Sequence, residues 1–166
     1  MLFRSDGRDP RAFNKLFERY KNPLYRYVLH LVRSPDDAAD ITQELWIKAH
    51  DGLCGGQYSA QEGASLKSWL YRIAHNAVID HVRRKTIAVV GGTRARADDD
   101  TDAVADIPGG DDPESELSAR ALHRAYFKAL ASLTEQRRRA YLLQQDGDLT
   151  VKEIAASMGI SYETAK

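Results

Sequence analysis

The sequence predicts an all-α fold, built as two small helical domains joined by a flexible acidic linker, the second a helix-turn-helix cut short in its second helix. Three observations predict it. Apolar residues recur every three or four positions from Asp9 to Lys85 and again from Leu117. Capping residues open these stretches. Between Thr86 and Pro113 the periodicity vanishes amid glycines, prolines and the run Asp98-Asp99-Asp100. No strand-like alternation or internal repeat is present. The boundaries read as a domain over 1–86, a linker over 87–112 and a domain over 113–166.

Asp9 and Pro10 supply an N-cap and a first-turn proline, and Phe13, Leu16, Phe17 and Tyr20 follow at i, i+3, i+4, i+7. Asn22 and Pro23 repeat the device ahead of Leu24, Tyr27, Val28 and Leu31, which predicts a second helix. Ser34, Pro35, Asp36 and Asp37 open a third, the hydroxyl capping and the carboxylates lying at the positive end of the helix dipole. From Asp51 to Ala64, glycines at 52, 55, 56 and 63 predict a loop. Ser65 caps a fourth helix carrying Leu66, Leu70, Ile73 and Ala77. The linker combines low hydrophobicity with like charge, too little to offset the entropy of ordering it. Beyond it, Leu117, Ala121, Leu122, Ala125 and Leu130 resume the helical spacing, followed by Ala140, Tyr141 and Leu143.

A chain of 166 residues with 24 basic and 24 acidic side chains is neutral overall, which by itself argues against nucleic-acid binding. The charge is segregated, however. Residues 1–97 sum to +6, residues 98–116 to −9 and residues 117–166 to +3. Such asymmetry leaves room for basic surfaces. The single cysteine, Cys54, precludes an intrachain disulfide and points to a reducing, cytoplasmic setting. No apolar run approaches the roughly 18 residues of a membrane span, so no membrane insertion is expected. The five histidines are scattered, and no catalytic constellation, metal site or cofactor site can be assembled from local spacing. The chain is expected not to be an enzyme.

Three constellations stand out. Thr150 and Glu153 fit a capping box, Met158-Gly159-Ile160 a turn, and Ser161 the cap of a following helix; together they read as a helix-turn-helix or as an ordinary tight helical corner. Arg72, Asn76, Asp80 and Arg83, extended by Arg84 and Lys85, form a narrow polar stripe that suits a nucleic-acid strand or a solvated face. Asp37, Asp40 and Glu44, with Gln43 beside them, form an acidic stripe in which Asp40 and Glu44 repel at i, i+4. That cost is rational when a basic partner faces it. Trp46 and Trp69 read as core or half-buried anchors, and Trp69, on the side of the polar stripe, also suits a role beside a nucleic-acid strand.

These segments resemble the extracytoplasmic-function (ECF) sigma factors of bacterial RNA polymerase. DDAADITQELWIKAH (36–50) resembles their polymerase-binding helix, WLYRIAHNAVIDHVRRK (69–85) their minus-10 helix, and residues 133–166 their minus-35 domain. The resemblance implies core RNA polymerase and promoter DNA as partners, and leaves room for an anti-sigma factor. It implies that Asp37, Asp40, Gln43 and Glu44 contact polymerase, with Ala39 standing where the family usually has an acid. Arg72, His75, Asn76, Asp80, Arg83 and Arg84 would bind the non-template strand, and the loop from Leu53 to Ala64 would capture a flipped base. Ser161, Tyr162, Glu163, Thr164 and Lys166 would contact the minus-35 element, incompletely, since family members continue for two or three helical turns past the position of Lys166. The competing reading is a helical protein-interaction adaptor that binds a regulator and reads no DNA.

Overall fold

The computed structural model describes residues 10–56, 58, 65–91 and 113–166. Seven helices and no strand occur among the described residues: α1 (Pro10–Val32), α2 (Pro35–Cys54), α3 (Leu66–Gly91), α4 (Pro113–Ser132), α5 (Glu135–Gln145), α6 (Val151–Met158) and α7 (Tyr162–Ala165). Most of the predicted acidic linker, 92–112, lies outside them.

The first two predicted helices are one. Pro23 sits inside α1, where its missing N–H and its ring cost about 3 kcal/mol. The apolar phase runs unbroken through it, from Leu16 to Leu24, Tyr27 and Val28, and these four are buried. Their burial in the core offsets the proline. Arg33, in the left-handed region at φ 58°, ends α1 and donates its N–H to the Leu29 carbonyl at 2.8 Å. Ser34 then caps α2, its hydroxyl accepting from the Asp37 N–H.

Two boundaries move relative to the sequence reading. α2 continues through Asp51 to Cys54, because Gly52 is buried against the core and its turn gains more from packing than glycine loses in propensity. α3 passes residue 86 and ends at Gly91, no proline or glycine intervening before that. Ser65 caps it as expected, accepting from the Ser68 N–H at 3.1 Å.

α1, α2 and α3 enclose Ile41, Leu45, Leu70 and the edge-to-face pair Tyr27–Tyr71, whose ring centroids lie 5.2 Å apart. Trp46 and Trp69 are buried, as the sequence suggests. Leu142, Leu143 and Leu149 belong to the same continuous core, so the two predicted domains are packed together among the described residues. Leu122, by contrast, is 73% exposed in spite of its helical spacing.

The helix-turn-helix is formed. Thr150 and Glu153 exchange both capping-box bonds, and Gly159 takes the left-handed C-cap at φ 68°, where a side chain would be strained. Ser161 caps α7, accepting from the Thr164 N–H at 3.2 Å.

Candidate functional site

The acidic stripe of α2 and the basic stripe of α3 meet. On a helical wheel of 100° per residue, Asp37, Glu44 and Lys48 form the line nearest α3, while Asp36, Asp40, Gln43 and Ile47 form a second, outward line. Lys85 Nζ donates to Asp37 Oδ2 at 2.8 Å, and His81 Nε2 lies 3.2 Å from Asp37 Oδ1. Arg84 donates to Glu44 at 2.6 Å, and Lys48 bridges Glu44 at 3.1 Å and Asp80 at 3.2 Å. The hydrogen bond from Lys85 holds the Asp37 carboxyl below the usual carboxylate range, and that from Arg84 does the same for Glu44. These pairs sit in solvent-screened positions and contribute little to stability. They therefore orient side chains without locking them.

Asp40 and Gln43 are exposed and make no hydrogen bond or ion pair with any described residue. The outward line borders an apolar groove of about 680 Å³ between α1 and α2, walled by Phe13, Phe17, Trp46 and Ile47. Trp46 is fixed there by edge contacts to Phe13 and Phe17 at 6.0 and 4.9 Å. Ile47, 57% exposed, escaped the sequence reading, although its place at i+4 from Gln43 and i+7 from Asp40 marks it.

On α3 the structure brings Arg72, Asn76 and Arg83 onto one exposed face, with Ile79, 47% exposed, among them. Asp80 and Arg84 turn toward α2 instead, into the ion pairs. His75 is not on this face: it is 6% exposed and its Nδ1 lies 3.4 Å from the Tyr27 hydroxyl. Its position one residue from Asn76 rotates it by about 100° toward the core. At the start of α7, Ser161 and Thr164 bond to each other at 2.7 Å as a cap; both are exposed, as are Tyr162, Glu163 and Lys166. Beyond Tyr58, much of the loop expected to capture a base lies outside the described residues. No cluster of three potential metal ligands occurs among the described residues, and no helix there is long and apolar enough to cross a membrane.

Burial of His75, and secondarily Arg139, pushes its pKa from 6.5 down to about 4. The folded chain therefore favours neutral imidazole, so stability is full above the unfolded value and is lost as pH falls from 6.5 toward 4. The expected loss is about 2–3 kcal/mol. His75→Gln flattens the pH dependence of the unfolding midpoint across that window, as thermal denaturation checks.

Residues 16–87 match the family model of Sigma-70 region 2, and residues 123–166 that of Sigma-70 region 4. The chain is 30% identical over 162 residues to the ECF RNA polymerase sigma-E factor of Escherichia coli (strain K12), covering 95% of this chain and 81% of that protein. This chain belongs to the ECF sigma factors. The ECF RNA polymerase sigma factor SigK of Mycobacterium bovis is 25% identical to it, with 100% of this chain and 84% of that protein covered. A solved structure of CnrH in complex with the cytosolic domain of CnrY matches with a TM-score of 0.62, over 95% of this chain and 80% of that one. At 20% identity the likeness is one of fold. In this ECF sigma factor the paired stripes of α2 and α3 lie in region 2, and the helix-turn-helix of α6 and α7 lies in region 4.

Proposed function

We propose that this ECF sigma factor docks on core RNA polymerase through α2 and directs it to promoters by holding the minus-10 non-template strand on α3. The observation that carries the reading is the division of the charged surface between two helices. Asp40 and Gln43 are exposed on α2 with no partner among the described residues, beside an apolar groove, which suits a basic helix carrying one or two apolar side chains. Arg72 and Arg83 flank Asn76 on the free face of α3, which suits phosphates on either side of a base edge.

Asp37 and Glu44 also belong to the proposed polymerase contact, and Asp80 and Arg84 to the proposed strand contact. They reach those partners by exchanging the weak pairs they make with each other, so docking on α2 frees cations on α3. Region 4 contributes the minus-35 contact through the exposed Tyr162, Glu163 and Lys166, with Ser161 and Thr164 shaping the helix start. Helping to melt the minus-10 element belongs to the same reading, the strand being held once its bases unpair. A cytoplasmic location follows from a polymerase partner. An anti-sigma factor is a further proposed partner, supported by CnrH having been solved with the cytosolic domain of CnrY bound.

The test compares two variants in the complex with core polymerase. Asn76→Ala removes a base-reading amide and no charge, so discrimination among minus-10 sequences falls by about 1–3 kcal/mol. Arg83→Ala removes a phosphate contact, so affinity falls for all sequences alike and the salt dependence becomes shallower by about one ion. Equal, sequence-independent losses for both variants contradict strand reading by α3.

A further inference from the structure

The exposed face of α3 is not only basic. Ile79, Val82 and Ile87 stand 47%, 51% and 61% exposed on this helix, and none of the three is packed against the core cluster. A single exposed aliphatic is ordinary, but three within so short a stretch of one helix form a patch. Ile79 lies three residues after Asn76 and four before Arg83, so the amide, the aliphatic group and the guanidinium form one line, with Val82 at its side. Arg72, Asn76 and Arg83 make no hydrogen bond or ion pair with any described residue. Asp80, the carboxylate next to Ile79 in sequence, is turned toward α2 and pairs with Lys48 at 3.2 Å.

We propose that Ile79 and Val82 seat the C5 methyl group of thymine, so that α3 selects thymine at one or two positions of the strand it holds. This rests on the strand-holding role proposed for α3 and names what that face recognises. Arg72 and Arg83 are 11 residues apart, about 16 Å along the helix, which is the length of about four to five nucleotides at roughly 3.4 Å each. The two guanidinium groups therefore bracket a few phosphates, and the bases between them meet Asn76 and the aliphatic side chains. Trp69 and Tyr71, the large aromatic residues of α3, are buried. The face thus offers no ring on which any base would stack alike. Branched aliphatic side chains discriminate among bases only where a base carries an apolar group, and thymine carries one in its C5 methyl.

Removing one methyl group from water between two aliphatic side chains raises affinity by about threefold to fivefold. The contact carries no charge, so its size is independent of salt, unlike the phosphate contacts of Arg72 and Arg83. Uracil keeps every polar group of thymine and lacks only the methyl. Exchanging one for the other therefore isolates this contact from hydrogen bonding by Asn76 and from the charges beside it.

The test uses the full chain bound to core polymerase and a promoter duplex that this complex selects from random DNA. In the non-template strand of its minus-10 motif each thymine is replaced in turn by uracil, and affinity is measured by fluorescence anisotropy at two salt concentrations. The expected result is a loss of about threefold to fivefold at one or two positions, equal at both salt concentrations. The same exchange should cost nothing in a chain carrying Ile79→Ala with Val82→Ala, whose folding is checked by circular dichroism. Ile79→Ala alone, a milder change, should remove part of the effect. The uracil exchange leaves the protein untouched, so no folding defect imitates it. A selected motif without thymine, indifference of the parent complex to uracil, or a uracil loss that persists in the double variant overturns the thymine seat. So does a double variant that loses core polymerase in the absence of DNA, because the patch then faces a protein. Arg83→Ala keeps the two readings apart. If it weakens binding to all promoters while uracil is neutral, strand holding stands and the thymine seat falls; if neither change has an effect, the strand-holding role of α3 falls as well.

Discussion

Asp40→Arg combined with Gln43→Ala lowers the affinity of the full chain for core polymerase by at least about a hundredfold, roughly 2.8 kcal/mol. Both side chains are exposed and unbonded to any described residue, so neither substitution takes a contact from the fold. Against a basic partner, the arginine replaces attraction by repulsion at the centre of the proposed docking line. The i,i+4 repulsion between residues 40 and 44 also becomes an attraction, worth a few tenths of a kcal/mol to the helix. Binding is therefore lost while the unfolding midpoint holds or rises slightly. Affinity measured by fluorescence anisotropy of labelled chain, alongside thermal unfolding, checks both halves.

Leu45→Ala has the opposite profile. Leu45 is fully buried in α2 among the residues that join α1, α2 and α3. Truncation removes its transfer free energy and leaves a cavity, costing about 2–5 kcal/mol. A domain of this size is stable by about 5–15 kcal/mol, so a large share of the total is at stake. Ile47→Ala, two residues on but 57% exposed, changes stability by no more than about 0.5 kcal/mol and weakens polymerase docking instead. Urea denaturation of the two variants separates the core face of α2 from its proposed docking face.

The helices were legible because local signals set them. Ser34, Ser65, Thr150 and Ser161 each cap the helix the sequence assigns to them, and the left-handed Gly159 ends α6 where the turn was expected. Pro23 misled, because a local breaker was weighed without the continuous phase of Leu16, Leu24, Tyr27 and Val28 on either side of it. The acidic and basic stripes were each visible at helical spacing. Their pairing was not: Asp37 meets Lys85 across 48 positions and Glu44 meets Arg84 across 40, and no local pattern encodes which faces of two helices come together. His75 was grouped with Asn76 as a neighbour in sequence, although one residue of helix rotation carries it into the core beside Tyr27. The seat of Gly147 on Tyr71 was invisible for the same reason, since a glycine between two aspartates reads only as a turn until the opposing ring is placed.

This ECF sigma factor is proposed to give core polymerase its promoter choice through α3. That role is tested most directly by incubating core polymerase with a library of random duplex DNA, with and without the full chain, and sequencing the retained fragments. The chain is expected to enrich fragments sharing a minus-10 type motif, and Asn76→Ala to alter the base preference within that motif while the chain still binds polymerase. Retention of the same fragments with and without the chain, or a motif unchanged by Asn76→Ala, would contradict that role.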